Sequence, residues 1–526
     1  MLKISQIKCP VNREFSREDI ASKLHCRPED ILSYTIDRCS LDARHDELVH
    51  VYSVYAKVRN ESVYLRRRVV EAGEQKVYEM PKPGRLPEER PLIAGFGPSG
   101  MFAALILAEC GYRPIVIERG RPVEQRTKDV ERFFRDGILD PESNIQYGEG
   151  GAGTFSDGKL TARSKDLRVQ KVMEELIEAG ADLEIAWQAM PHIGTDVLQK
   201  IVRNIREKVC RLGGEIRFET RLERLHTEAG KLHSVQTSAG EISCRDLLLC
   251  TGHSAQETYT QLLAQKISIV QKDFAVGVRV EHPQQMIDRN QYGRHYGEYE
   301  LPAASYRLTH TSSAGRGVYS FCMCPGGIVI PSMSEPETMV VNGMSYAARD
   351  GKNANSAILV QVFRRDFDSG HPLDGFRYQK KLETQAYIDG YTAPVQNIRD
   401  YLDRKVSQQA VIPSSYPRDT AYRDMSVFFN DEQNTSLAEA FLRFDRQILG
   451  FADHGIMIGL ESRSSSPIRI LRGTDGMSAE CEGLYPCGEG AGYAGGIVSS
   501  AVDGIRQAEN LLKRYAVADS FGHVVK

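Results

Sequence analysis

The sequence predicts an α/β protein in which a parallel-sheet domain is interrupted by a β-rich domain and preceded by a small α+β module. Three observations predict this. A pattern of strand, glycine turn, helix and strand begins at Pro91; short strands punctuated by Gly and Pro dominate 256–445; and a last strand and helix return near the C-terminus. The predicted domains are therefore 91–255 together with 446–526 for the parallel sheet, and 256–445 for the β-rich substrate domain.

The pattern of strands and helix in residues 1–80 predicts the small α+β module. Short apolar strands alternate with one helical stretch, and Ser16 followed by Asp19 is a helix-start signal of the Ser-x-x-acid type. The proline-rich stretch 81–90 is interpreted as a linker, because proline removes donors and stiffens the chain. The basic run Leu65–Arg68 is either a phosphate contact or, as the nearly balanced local charge favours, a solvated face.

The composition and charge of the chain exclude several classes of function. The chain has 526 residues with 41% hydrophobic content, which is enough for a large core. Its formal charge of -3 gives no overall positive potential that would attract nucleic acid or an anionic membrane. No signal peptide and no run of about 20 apolar residues is seen, which predicts a cytoplasmic protein without membrane contact. Eleven scattered cysteines favour reduced thiols, and no metal-ligand spacing appears, so no metal is expected.

The stretch LIAGFGPSG, 92–100, carries the first motif. Three glycines follow a strand and open a helix at the Gly-x-Gly-x-x-Gly spacing, and the next strand ends in an acid that can accept hydrogen bonds from ribose hydroxyls. This arrangement is typical of a Rossmann-like dinucleotide site; the alternative is a glycine turn that binds nothing. The predicted contacts are Gly95, Gly97, Pro98, Ser99, Gly100, Glu118 and Arg119.

A second motif lies about 390 residues further on, in YPCGEGAGYAGGI, 485–497. Glu489 follows a strand and can accept hydrogen bonds from ribitol hydroxyls, and the glycines after it open a helix. The free N–H groups of that helix would favour the negative charge that accumulates on the pyrimidine edge of a reduced flavin. The two motifs together predict FAD. The predicted contacts here are Glu489, Gly490, Gly492, Gly495, Gly496 and Ile497.

Two further stretches adjoin these motifs. The loop GEGGAGTFSDGKL, 148–160, combines permissive backbone with donors and acceptors for a cofactor, and LLLCTG, 247–252, ends a buried strand in a small turn. The alternatives are a flexible loop and an ordinary strand end. The predicted cofactor contacts are Gly151, Gly153, Thr154, Asp157, Lys159, Thr251 and Gly252.

These segments, in this order, resemble the FAD-dependent dehydrogenases often labelled "NAD(FAD)-utilizing", within the glutathione-reductase-like flavoproteins of the p-hydroxybenzoate hydroxylase arrangement. The resemblance extends over nearly the whole chain. It implies bound FAD, a two-domain flavoprotein core and an additional N-terminal α+β domain. One departure is Gly488-Glu489, where the broader group usually has Gly-Asp; the longer carboxylate can perform the same role.

Candidate catalytic residues are Cys322 and Cys324. Two thiols two residues apart in a strand project to the same side and can exchange electrons with a flavin, provided that one is a low-pKa thiolate. The alternative is a pair of small buried hydrophobic side chains.

Other candidates are weaker. Arg463, Arg469 and Arg472 form either an anion site for the substrate or ion pairs with local acids, and His192 and His253 are interpreted as structural.

The function predicted is an FAD-dependent oxidoreductase that transfers hydride between the flavin and a small-molecule substrate or a redox partner protein. After Gly100 no second Gly-x-Gly-x-x-Gly unit is accompanied by the strand and the terminal acid of the first, so no dedicated NAD(P)H domain is expected and any NAD(P)H would have to visit transiently. Two alternatives are a flavin-dependent RNA-modifying enzyme, which the near-neutral charge disfavours, and a protein in which FAD has a structural or sensory role.

Overall fold

The computed structural model describes residues 1–43, 47–66, 70–74, 76–161 and 164–516. The basic run at 65–68 therefore lies partly outside the described residues, at 67 and 68. Within the described ranges, no helix combines the length and apolar character needed to cross a membrane.

The N-terminal module is a four-stranded antiparallel sheet with a helix packed on one face. Its strand order is β2-β3-β1-β4. The helix after Ser16 begins where the sequence predicts, since the Ser16 N–H donates to the Asp19 carboxylate at 2.9 Å. The elements are β1 (Leu2–Pro10), α1 (Arg17–Leu24), β2 (Ile31–Asp42), β3 (Val49–Val58), α2 (Glu61–Arg66) and β4 (Glu71–Ala72).

The next part of the chain alternates strands and helices and contains a small antiparallel sheet, β10-β9-β8. Its elements are β5 (Leu92–Ala94), α3 (Pro98–Glu109), β6 (Ile115–Ile117), α4 (Val123–Asp136), α5 (Arg168–Glu178), α6 (Thr195–Arg211), β7 (Glu215–Arg217), β8 (Leu222–Glu228), β9 (Lys231–Thr237), β10 (Gly240–Ser243), β11 (Leu247–Leu249) and α7 (Gln256–Ala264).

A seven-stranded sheet, β14-β15-β18-β13-β21-β19-β20, forms the β-rich domain. The elements of this region are β12 (Ile269–Gln271), β13 (Phe274–Pro283), α8 (Gln284–Tyr292), β14 (Thr309–Thr311), β15 (Gly317–Cys324), β16 (Ile328–Pro331), β17 (Val341–Met344), β18 (Asn353–Val362), α9 (Asp374–Ala386), β19 (Ala393–Asn397), α10 (Ile398–Leu402), β20 (Thr420–Tyr422), α11 (Asp431–Asp445) and β21 (Ile456–Glu461). The sheet extends past the predicted boundary at 445, because β21 pairs with β13. Every residue of β21 is buried. A buried, mostly apolar strand is also typical of a parallel sheet, and its sequence pattern therefore predicts that this segment belongs to the parallel-sheet domain.

The C-terminal stretch contains β22 (Ile468–Ile470), β23 (Leu484–Pro486) and α12 (Ile497–Arg514). β22 pairs with β12 in a separate two-stranded antiparallel sheet, whereas β23 joins the parallel sheet. The parallel sheet has the order β23-β11-β5-β6-β7, so its last strand comes from the far end of the chain. The strand order reverses at β5, which lies between β6 and β11. In open parallel sheets, ligands bind outside the carboxyl ends of the strands at such a point.

Candidate functional site

A single cleft runs along the carboxyl ends of the parallel strands and continues to the seven-stranded sheet. Glu118, after β6, and Glu489, after β23, both line it. It encloses about 1660 Å³ of space outside the protein atoms, open solvent at its mouth included. The predicted residues that line it are Gly95, Gly97, Pro98, Ser99, Glu118, Arg119, Gly151, Gly153, Asp157, Lys159, Thr251, Gly252, Cys322, Cys324, Glu489, Gly490, Gly495, Gly496 and Ile497.

The first glycine turn connects β5 to α3. Gly95 has a φ of +101°, which side chains rarely tolerate. A Cβ atom on Gly100 would lie 1.9 Å from the Gly95 carbonyl oxygen, so Gly100 provides close packing of helix on strand and does not itself line the cleft. A Cβ atom on Gly97 would meet only the backbone of Gly151, with its Cα atom at 3.7 Å and its nitrogen at 4.0 Å. Gly97 therefore keeps the cleft open beside the start of α3.

The Glu118 carboxylate is buried and accepts three backbone hydrogen bonds. Its Oε2 accepts the Phe96 N–H at 2.8 Å, and its Oε1 accepts the N–H groups of Gly120 and Gly148, at 3.0 and 2.9 Å. A carboxylate oxygen has two acceptor sites, so Oε2 retains one for a ligand hydroxyl. Glu118 thus holds the turn and the loop at 148 together as well as lining the cleft.

Arg126 is a site residue that the motifs did not reveal. Its side chain is fully buried, and its guanidinium donates to four carbonyl oxygens within 144–149, at 2.6–3.3 Å. This contact shapes the loop that ends at the Gly148 N–H. The only signal in the sequence is spacing, because Arg126 falls on the helix face of Val123, Val130 and Phe133.

Besides Gly100, two predicted cofactor contacts lie outside the cleft. Thr154 is buried, and its hydroxyl donates to the Glu149 carbonyl at 3.2 Å, so it stabilises its own loop. Gly492 has a φ of +86°, and a Cβ atom there would lie 2.3 Å from the Ile468 carbonyl oxygen. It packs against the strand β22 and away from the cleft. In these glycine-rich stretches some residues therefore face the cleft and others face the protein, which glycine spacing alone does not distinguish.

His253 lies against the predicted ribitol acid. Its Nδ1 atom is 2.5 Å from Glu489 Oε1, and its backbone N–H donates to Oε2 at 3.1 Å. Burial alone would raise the pKa of Glu489, but His253 outweighs burial and holds that pKa below its ordinary value. The imidazole is 6% exposed, and its Nε2 atom has no partner within the described part of the chain. His192 lies elsewhere, against the Ala347 carbonyl at 3.2 Å.

The two cysteines both line the cleft, but they do not lie in the regular strand that the prediction assumed. The β15 strand carries a bulge between Phe321 and Cys324, and Cys322 has a φ of +42°. Cys322 opens into the cleft, whereas Cys324 is buried and donates from its Sγ atom to the Cys322 carbonyl at 3.2 Å. Desolvation raises the pKa of both thiols, that of Cys322 to about 12. Neither thiol therefore meets the low-pKa condition of the dithiol hypothesis.

Cys322 is expected to react slowly with iodoacetamide in spite of its access to the cleft. With a pKa of about 12, its thiolate fraction at pH 7.5 is about a thousand times below that of an ordinary cysteine of pKa about 8.5. Peptide mapping by mass spectrometry across pH 7.5–10, against a short cysteine peptide, checks this through a rate that rises about tenfold per pH unit. Labelling at pH 7.5 as fast as that of the peptide would restore the dithiol hypothesis.

The three arginines do not converge on one anion site. Arg463 lines the cleft, but its guanidinium is held in a bidentate pair by the buried Glu383, at 2.7 and 3.0 Å. Arg472 is paired in the same way with Asp503, at 2.7 and 2.9 Å. Arg469 is exposed outside the cleft. Arg463 and Arg472 therefore form ion pairs, the second of the two alternatives, and the carboxylates that they bind are buried.

The cleft has the features that FAD requires. Gly97 precedes α3 and has no side chain to cap it, so the first N–H groups of that helix favour phosphate. Gly496 precedes α12, where the Ser499 hydroxyl accepts from the N–H groups of Gly495 and Gly496, at 3.2 and 3.0 Å, and the helix start still favours a negatively charged ring edge. Cβ atoms on Gly252 or Gly495 would meet no protein atom within 4 Å. The orphaned Nε2 atom of His253 supplies an unused polar group beside Glu489. The residues present fit the cofactor that the sequence predicts.

Comparison with known proteins agrees with this geometry. The model of the family "FAD-dependent protein, C-terminal domain-like" matches residues 273–464, and a domain of unknown function, DUF8436, matches residues 1–57. An uncharacterized protein of Clostridium beijerinckii is 45% identical over 510 residues, which cover 94% of this chain and 95% of that protein. This chain belongs to a family of FAD-dependent proteins.

The prediction of FAD is thus confirmed, and the family match spans the seven-stranded sheet of this FAD-dependent protein. Solved structures also match at low similarity. Glycine oxidase from Bacillus cereus is 12% identical, with 84% of this chain and 100% of that chain covered and a TM-score of 0.33. L-proline dehydrogenase from P. horikoshii is 11% identical, with 82% and 95% covered and a TM-score of 0.34. Similarity at this level carries no conclusion about activity.

Proposed function

We propose that this FAD-dependent protein is an oxidoreductase of the "NAD(FAD)-utilizing" dehydrogenase kind, which transfers hydride between the flavin and a small-molecule substrate. The cleft carries the proposal, because it continues from the glycine turn at 95–100, past Glu489, to side chains of the β-rich domain. One cavity therefore offers room for a dinucleotide and, next to it, for a second molecule. Phe321, Asn342 and Glu461 line this far part of the cleft.

In this proposal the parallel sheet supplies the cofactor contacts. The start of α3 binds the pyrophosphate with backbone N–H groups, and Glu118 accepts from the ribose. His253 holds the Glu489 carboxylate in one orientation, at 2.5 Å, for the ribitol hydroxyls. Bound FAD supplies a ring nitrogen, N5, that accepts or releases hydride. The protein sets the position and polarity of that ring.

Glu461 is the acid–base group that we assign to the substrate side. It is 4% exposed, and its Oε2 atom accepts from Arg279 at 2.6 Å. Its Oε1 atom makes no hydrogen bond to a described residue. Burial raises the pKa of Glu461 above its ordinary value, although Arg279 opposes this. A carboxyl group of raised pKa with one unused oxygen can take a proton from a substrate O–H or N–H group, or return it.

Anaerobic titration of the purified yellow protein tests this function. We expect NADH, NADPH or a dithiol to bleach the flavin absorbance near 450 nm, because an oxidoreductase must exchange electrons with a reductant that enters the cleft. Dithionite, which needs no binding site, is the control. A flavin that dithionite reduces but that the full panel and candidate substrates leave oxidised would contradict the proposal and favour a structural or sensory role for FAD.

A further inference from the structure

The cleft contains one cationic side chain that has no ion pair. Among the arginines and lysines that the described residues contribute to its wall, Arg119, Arg221 and Arg463 are each held by glutamates. Lys159 also lines the cleft, yet its ammonium group makes no hydrogen bond or ion pair with any described residue. It is half-buried, so it has lost part of its hydration without gaining a partner.

The carboxylates near Lys159 are already occupied. Asp157 is bound by Arg349, with Nε at 3.0 Å from its Oδ1, and by the Ser345 hydroxyl. The Glu461 carboxylate is bound by Arg279. Glu383 is bound by Arg463, and Glu335, 3.7 Å from Arg463, pairs with Lys380. Among the described residues in this part of the molecule, these four carboxylates are matched by Arg349, Arg279, Arg463 and Lys380, and Lys159 is a fifth cationic side chain. One positive charge, that of Lys159, is left unbalanced.

Lys159 lies toward the substrate side of the cleft. It lines the same cleft as Cys322 and Cys324, and Asp157, two residues before it, is bound by Ser345 and Arg349 of the β-rich domain. In agreement with this position, the Lys159 charge opposes the rise that desolvation causes in the pKa of both thiols. Asn342 lines the same part of the cleft. Its Oδ1 atom accepts from Arg279 at 3.3 Å and from the Gly343 N–H at 2.8 Å, while its Nδ2 atom makes no hydrogen bond to a described residue. Phe321 adds an aromatic wall.

We propose that Lys159 binds the carboxylate of the substrate, so that the substrate class of this enzyme is the small organic monocarboxylates. The inference rests on the proposed function. An ammonium group and an unused amide N–H pair are the donors that a carboxylate needs, and the aromatic wall accommodates an apolar body. A monoanion balances the single excess charge. A phosphate dianion would leave a net negative charge in a desolvated site, which is unfavourable.

Binding of probe molecules to the FAD-loaded protein tests the assignment. Isothermal titration calorimetry with benzoate, benzamide and phenyl phosphate separates carboxylate, neutral and phosphate recognition. The variants are Lys159→Gln, Lys159→Arg, and Lys165→Gln as a matched control, since Lys165 is exposed six residues further along the chain. We expect benzoate to bind the wild type and Lys165→Gln alike, about tenfold more weakly to Lys159→Gln, and with most of its affinity to Lys159→Arg. Benzamide should bind weakly and equally to all four proteins.

Four results would overturn the proposal: no benzoate binding by FAD-loaded wild type, equal benzoate affinity in Lys159→Gln, a benzamide affinity that equals that of benzoate, or tighter binding of phenyl phosphate. A loss of FAD from Lys159→Gln, or a shifted flavin midpoint potential with unchanged benzoate affinity, would place Lys159 at the cofactor and overturn it as well. Failure of the proposed function is distinguishable, because a flavin that only dithionite reduces leaves benzoate binding measurable.

Discussion

Gly97→Ala is expected to abolish FAD binding while leaving the fold intact. Gly97 has a φ of -78°, which alanine adopts without strain, and the added Cβ atom meets its nearest protein atom at 3.7 Å. The methyl group fills the space beside the first turn of α3, where a pyrophosphate must approach the backbone N–H groups. Because hydrogen bonds to a charged group contribute about 1.5–3 kcal/mol each, displacement of the phosphates should weaken FAD binding about 100-fold or more.

The measurement is titration of FAD-free protein with FAD, together with urea unfolding of the FAD-free form. Gly317→Ala is the matched control: it lies outside the cleft, has no positive φ, and its Cβ atom would meet only the Gln361 side chain, at 3.6 Å. We expect both variants to unfold at the wild-type urea concentration and only Gly97→Ala to lose FAD. Wild-type affinity in Gly97→Ala would mean that the cofactor does not lie against this turn.

The cofactor side of the cleft was predictable from sequence because its contacts are made by backbone. Glycine spacing is fixed by how closely a helix, a strand and a phosphate approach one another, and this requirement is visible at Gly95, Gly97 and Gly100 in the sequence itself. The carboxyl ends of parallel strands also share one edge of a sheet. The sequence thus places Glu118 and Glu489 together although 371 positions separate them.

The contacts between side chains, at His253 on the cofactor side and at Glu461 on the substrate side, were not predictable in the same way, because these residues meet their partners through tertiary packing. Nothing near His253 in the sequence indicates that its imidazole contacts Glu489, and Glu461 belongs to a buried strand that resembles its neighbours. The bulge in β15 shows a second limit. Simple alternation puts Cys322 and Cys324 on the same side, but one extra residue in the strand gives them different exposure.

Arg126→Met should destabilise the protein by about 2–5 kcal/mol, because each buried acceptor left without a partner costs about 1–3 kcal/mol. Methionine has no donor for the four carbonyl oxygens within 144–149, and those of Asn144 and Ile145 would remain without a partner. The Gly148 oxygen keeps the Gly151 N–H at 2.9 Å, and the Glu149 oxygen keeps the Thr154 hydroxyl at 3.2 Å. Burial lowers the pKa of Arg126 to about 10, so the guanidinium is still charged at neutral pH. Urea unfolding of the FAD-free protein measures the loss, with Arg132→Met on the exposed face of the same helix as the control.

The same substitution should also weaken FAD binding, because the loop that Arg126 holds presents the Gly148 N–H to Glu118. A loop that loses its central contact no longer fixes that carboxylate for the ribose. We therefore expect Arg126→Met to lower both the free energy of unfolding and the affinity for FAD, while Arg132→Met changes stability by less than about 0.5 kcal/mol. If Arg126→Met were destabilised but bound FAD as tightly as the wild type, Glu118 alone would suffice to order the loop around the cofactor.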